Sequence, residues 1–138
     1  MINFFNEDID FELSDRIKTT QWLNSIVEES FGKGCEVNFI FCSDEFLLNI
    51  NQDYLAHDYY TDIITFKTSE PSEPLTSDIF ISIDRIRDNA KALSNSFEKE
   101  LHRVMAHGLI HLMGYEDETP DQKQVMRNKE DSYLSLLS

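Results

Sequence analysis

Ser96-Phe97-Glu98-Lys99-Glu100-Leu101-His102-Arg103-Val104-Met105-Ala106-His107-Gly108-Leu109-Ile110-His111-Leu112-Met113-Gly114-Tyr115-Glu116-Asp117 reads as one helix and one turn. Ser96 is a good helix N-cap. Phe97, Leu101, Val104, Met105, Gly108 and Leu112 recur at the 3.6-residue period and form an apolar stripe that faces a core. Gly114 is where the chain can turn in a left-handed conformation and stop the helix. His107 and His111 flank the stripe. Four residues apart, they share a helix face and stand about 6 Å apart along the axis. Two imidazoles so placed can bind one metal ion. The glycine turn would let a third ligand fold back, with Asp117, Glu116 or Glu118 as the candidates. Two histidines and a carboxylate leave a fourth position for water, the pattern of a catalytic rather than a structural zinc site.

Working outward, each neighbouring segment has its own signal. Thr119-Pro120 starts a final helix through Val125, Met126, Tyr133 and Leu137. Before Ser96, the spacing predicts a helix from an Asp84 cap to about Leu93. A strand over Asp78–Ile83 precedes it, with Ile79, Ile81 and Ile83 alternating against Phe80 and Ser82. Ser69–Ser77, with its prolines, is a surface loop. Thr61–Thr68 is a strand by its β-branched and aromatic content. Ser43 or Asp44 caps a short helix to Tyr54. Cys35–Cys42 is a strand, Gly32 and Gly34 end a helix that Ser14 caps, and Ile2–Phe11 alternates loosely as a first strand. The expected fold is α+β: one domain over 1–138, a small mixed sheet with packed helices, and the metal site on a central helix and the turn after it.

Composition narrows the function. The 138 residues suit one domain with a real core, and no apolar run is long enough to span a membrane. The N-terminus lacks a signal-peptide pattern, so a cytoplasmic protein with no membrane partner is expected. Cys35 and Cys42 fall on opposite strand faces and should not pair. Twelve basic residues against 26 acidic give a net charge of −14, which disfavours a general nucleic-acid binder. The least acidic long stretch is 84–103. Its Arg85, Arg87, Lys91 and Arg103 are the expected contacts for any RNA.

Zinc peptidases place a glutamate directly after the first histidine as general base. Here that position is Gly108, so a general acid or base must come from elsewhere; Glu116, Glu118, His57 and Asp58 are the candidates. Arg103, one turn before His107, would meet a phosphate or an acidic group behind the metal.

The motif His107-Gly108-Leu109-Ile110-His111-Leu112-Met113-Gly114-Tyr115-Glu116-Asp117 resembles the H-G-x-L-H-L-x-G-Y-D-H signature of the YbeY family of bacterial endoribonucleases. Asn49-Ile50-Asn51-Gln52-Asp53-Tyr54, Asp58 and Thr61-Asp62-Ile63-Ile64-Thr65-Phe66 resemble a second block of that family. Ser77-Asp78-Ile79-Phe80-Ile81-Ser82 resembles a third. The resemblance implies one Zn2+ per chain, held by His107, His111 and Asp117, which act in catalysis through the metal's bound water, with His57 and Arg103 as helpers. It implies a single-strand-specific endoribonuclease acting in small-subunit ribosomal RNA maturation and ribosome quality control, with RNA and the ribosome or its proteins as partners and no DNA. Two departures stand out. The family's third histidine is Asp117 here, and its arginine after the tyrosine is Leu55. The rival readings are a non-catalytic ribosome-assembly factor and a peptidase-like hydrolase.

Overall fold

The computed structural model describes residues 1–137. Its elements in chain order are β1 (Ile2–Asn6), α1 (Arg16–Phe31), β2 (Glu36–Cys42), α2 (Asp44–Leu55), β3 (Ile63–Lys67), β4 (Thr76–Ser82), α3 (Ile83–Ala92), α4 (Phe97–Leu112) and α5 (Pro120–Leu134), followed by a short 3-10 turn at Ser135–Leu137. The strands form one mixed sheet in the order β1-β2-β4-β3. β1 and β4 run parallel to β2, and β3 runs antiparallel to β4. This is the α+β architecture expected from the pattern.

The two faces of the sheet carry different cores. Val37, Phe39 and Phe41 of β2, with Ile79 and Ile81 of β4, pack beneath α1 and α4 against Leu23, Ile26, Leu101, Met105 and Leu109. The opposite face holds a smaller cluster of Cys42, Leu47 and Ile64, edged by Phe46, Ile50, Phe66 and Phe80. The period of two along β2 therefore sorts side chains between two cores rather than between core and water. It also separates the cysteines, which are both buried and unbridged. Burial, reinforced by nearby carboxylates, pushes the Cys42 thiol up to about 12, so it packs as an apolar residue.

Several boundaries differ from the sequence expectation. β1 stops at Asn6, not Phe11. The apolar residues beyond it are partly buried by packing rather than by strand pairing: Phe11 sets its ring edge-on to Phe41, centroids 4.9 Å apart. Asp15, in a left-handed conformation and without a side-chain cap bond, replaces Ser14 at the start of α1. Ser82, not Asp84, caps α3 by accepting from the Arg85 N–H. Asp84 instead accepts from the Asp44 N–H at the start of α2, so the carboxylate serves a neighbouring helix. β4 begins at Thr76, two residues early. The caps at Ser43, Ser96 and Thr119 are as expected, the last a full capping box with Gln122.

Gly108 explains how α4 lies so close to the sheet. A Cβ there would stand 2.9 Å from Ile63 Cδ1 and 3.4 Å from two Ile79 carbons. The residue directly after the first histidine lies against Ile63 of β3 and Ile79 of β4, which leaves little room for a side chain. Any side chain there, the peptidase glutamate included, would press on the Ile63 and Ile79 side chains of the sheet.

Candidate metal centre

α4 carries both histidines, and its C-terminus brings the third group back. Met113 ends the helix and Gly114 turns the chain at φ 101°, a conformation that favours glycine. Three residues later Asp117 faces the imidazoles. Ligating atoms of His107, His111 and Asp117 all lie within 4.8 Å of one another. His107 Nε2 is 3.7 Å from Asp117 Oδ2, and the two rings meet edge-on with centroids 4.5 Å apart. Of the three acidic candidates, Asp117 joins the histidines, whereas Glu116 and Glu118 are exposed to solvent.

The donor chemistry fits a cation. The Tyr115 carbonyl lies 2.8 Å from His111 Nδ1. A carbonyl only accepts, so that nitrogen carries the proton and Nε2 keeps its lone pair. His107 Nδ1 lies 2.7 Å from Glu130 Oε2, and a carboxylate there has the same effect. Second partners that fix the tautomer of a ligating histidine are a recurring feature of metal sites.

Glu130 of α5 was not singled out from the sequence. It is 5% exposed and joins Arg103 to His107, accepting from Arg103 at 2.9 Å through Oε1 and from His107 Nδ1 through Oε2. Burial alone would raise its carboxyl, but the His107 and Arg103 hydrogen bonds outweigh burial and hold it below the ordinary value. Burial likewise opposes a charge on His107, yet the Glu130 bond and charge raise that ring above its usual value. His111 is lowered by burial and by the neighbouring His107. One local signal existed. Met126 and Glu130 are four apart, so Glu130 continues the buried stripe of α5, where an acid needs a partner.

The structure gives Arg103 a different position from the RNA contact expected of it. It is 8% exposed, paired with Glu130 and, at 2.7 Å, with Asp131. Of the two expected alternatives, it meets the acidic group behind the metal ligand, not a phosphate. Arg85 is also engaged, 2.8 Å from Asp44 and set over the Tyr60 ring. Arg87 and Lys91 are exposed on α3.

The three clustered groups line an open cleft of about 840 Å³, together with His57, Tyr59, Asp62 and Lys67. His57 and Asp58 sit on the exposed loop after α2, and Asp58 accepts from Gln52 at 2.6 Å. Asp62 also lines a cavity of about 200 Å³ behind His107, with Glu100, Arg103 and Glu130. Burial raises the carboxyls of Asp62 and Glu100, and each is raised further by other acids around the cavity. Glu100 Oε1 is buried without a hydrogen-bond partner.

The sequence matches the family model described as Endoribonuclease YbeY over residues 2–138. The chain belongs to the YbeY family. An Endoribonuclease YbeY from Cytophaga hutchinsonii is 53% identical over 135 residues, covering 98% of this chain and 94% of that protein. One from Flavobacterium johnsoniae is 43% identical, covering 99% and 97%. The solution structure of a Thermotoga maritima protein superposes with a TM-score of 0.68 at 28% identity, covering 99% of this chain and 89% of that one. In this YbeY chain, no helix among the described residues is long and apolar enough to cross a membrane.

Proposed function

We propose that this YbeY chain is a cytoplasmic, zinc-dependent endoribonuclease that cuts single-stranded RNA during maturation of small-subunit ribosomal RNA, in contact with the ribosome or its proteins. The observation that carries the reading is the convergence of His107, His111 and Asp117 at the wall of an open cleft, with both histidine Nδ1 atoms already engaged. These three residues would hold one Zn2+, an ion suited to two imidazoles and a carboxylate. When bound, such an ion supplies Lewis acidity, polarising a phosphoryl oxygen and making water more acidic.

The chain's own residues do the remaining work. Glu130 and the Tyr115 carbonyl hold the Nδ1 protons of His107 and His111, which keeps both Nε2 atoms available. Arg103 acts through Glu130, as a positioning residue. Asp62 and His57 are a carboxyl and an imidazole that share the cleft with the ligands. Either carboxyl or imidazole would exchange a proton with the reacting phosphodiester or its leaving group. Gly108 removes the glutamate base on which a peptidase reading would depend.

The test incubates zinc-loaded protein, with and without chelator, with single-stranded RNA, duplex RNA and casein. Cleavage of single-stranded RNA alone, abolished by chelator, is the expected result. Intact RNA with stoichiometric zinc bound would favour the non-catalytic assembly factor. Cleavage of casein would favour the peptidase.

A further inference from the structure

The loop between α2 and β3 presents an ordered aromatic pair to the cleft. His57 and Tyr59 stack with ring centroids 5.1 Å apart and planes 20° from parallel. The Tyr59 hydroxyl lies 3.0 Å from His57 Nδ1, which locks the rings together. Asn51, 2% exposed, anchors the loop beneath them. Its Nδ2 donates to the Tyr59 carbonyl at 2.9 Å, and its backbone carbonyl accepts from the His57 N–H at 3.0 Å. Tyr59 itself is 56% exposed. A large apolar ring is thus held open to water by a buried amide, on the rim of the cleft that holds the metal triad.

Charge argues in the same direction. The net charge is −14. Arg103 and Arg85 are committed to carboxylates, and Lys67 is the only lysine or arginine among the described residues that line the cleft. Phosphate attraction is therefore weak here, and another force must hold a substrate strand. Aromatic faces that stack bases are the usual alternative in single-strand binding.

We infer that the Tyr59–His57 pair is a nucleobase-stacking subsite that sets the register of a single-stranded RNA in the cleft, fixing which phosphodiester reaches the metal triad. The inference rests on the endoribonuclease reading above. In the tautomer where the Tyr59 hydroxyl donates to Nδ1, the neutral His57 ring carries its proton on Nε2, a donor for the edge of a stacked base.

The experiment measures kcat and KM of the zinc-loaded protein on a single-stranded RNA oligomer with one principal cleavage site. The same oligomer is then made with an abasic nucleotide at each position in turn. In the wild type, one abasic position at a fixed distance from the cut should lower kcat/KM by roughly 10- to 100-fold, the size of a lost stack. Tyr59→Phe should keep that sensitivity. Tyr59→Ala should lose a similar factor on the intact oligomer, mostly in KM, and become indifferent to the abasic position; its melting temperature and zinc content should match the wild type. Cleavage by Tyr59→Ala with unchanged kcat/KM, or with the abasic penalty intact, overturns the stacking subsite alone. A wild type that cuts none of the oligomers overturns the endoribonuclease reading and this inference with it.

Discussion

The two walls of the cleft are built by opposite rules. On the α4–α5 side, Glu130 and Arg103 are buried and ion-paired, and the half-buried His107 is hydrogen-bonded to Glu130 across two helices. On the α2–β3 side, His57 and Tyr59 are exposed, hold each other, and are anchored by a single buried amide. The contrast separates two tasks. Ligands must stay in place within fractions of an ångström, and rigid packed helices with outer hydrogen bonds achieve that. A substrate strand must enter and leave, which favours a loop standing in water.

If the α4–α5 wall is a coupled unit, Glu130→Ala gives the largest effect. It leaves Arg103 and His107 without their buried carboxylate, and removing one partner of such a pair costs about 3–5 kcal/mol. Zinc affinity should fall by roughly 10–100-fold as His107 loses its orienting bond. Denaturant unfolding and a competitive zinc titration measure the two. Unchanged stability would show that the wall is not coupled.

Two carboxyls on either side of His107 should show opposed pH responses in metal-free protein. Glu130 is held below its ordinary value, so its contribution is present above that value and is lost as pH falls through its folded pKa. Asp62 is raised by burial, so its effect has the other sign. Its stabilising protonated form is fully present below the unfolded value of 3.8 and is lost as pH rises through the folded pKa. Asp62→Asn should therefore raise stability at pH 7 and remove that falling limb, whereas Glu130→Gln should lower it. Melting temperatures across pH 3–8 check both signs, and two variants shifting in the same direction would contradict the assignment.

Gly108→Ala is a smaller test. The added methyl stands 2.9 Å from Ile63 Cδ1, a flexible side-chain end. Overpacking of about 1–3 kcal/mol competes with a helix-propensity gain of about 1 kcal/mol. A net loss near 1 kcal/mol in chemical unfolding is expected. A clear gain would show that the helix does not sit as close to the sheet as the geometry has it.

Asp117→His should give the smallest change, because imidazole and carboxylate bind zinc at similar distances. Zinc affinity should hold or rise, as read by competition with a chelator. A loss of affinity would show that the turn after Gly114 is shaped for a carboxylate.

These effects also mark what the chain discloses before it folds. α4 is legible because a serine cap, a stripe at the helical period and a glycine stop agree over one continuous segment. The clustering of His107, His111 and Asp117 follows from that local agreement. Glu130 is not legible in that way. It lies 23 residues from His107, on a helix whose own pattern gives no partner for it. Arg103 misled for the same reason: an arginine in a basic stretch looks free until the helix that neutralises it is in place. At β1 the alternation that continued to Phe11 recorded burial rather than strand pairing. At α3 two cap-forming residues competed, and the serine prevailed because Asp84 was needed by α2.

The most direct test of the metal centre is the zinc content of purified protein by elemental analysis, wild type against the His107→Ala plus His111→Ala double variant, at neutral pH. The wild type should carry one zinc per chain and the double variant essentially none. Binding to the wild type should weaken as pH falls below about 6, where free imidazoles become protonated. A double variant that folds and retains stoichiometric zinc would contradict the assignment of the ligands and the account of the cleft built on them.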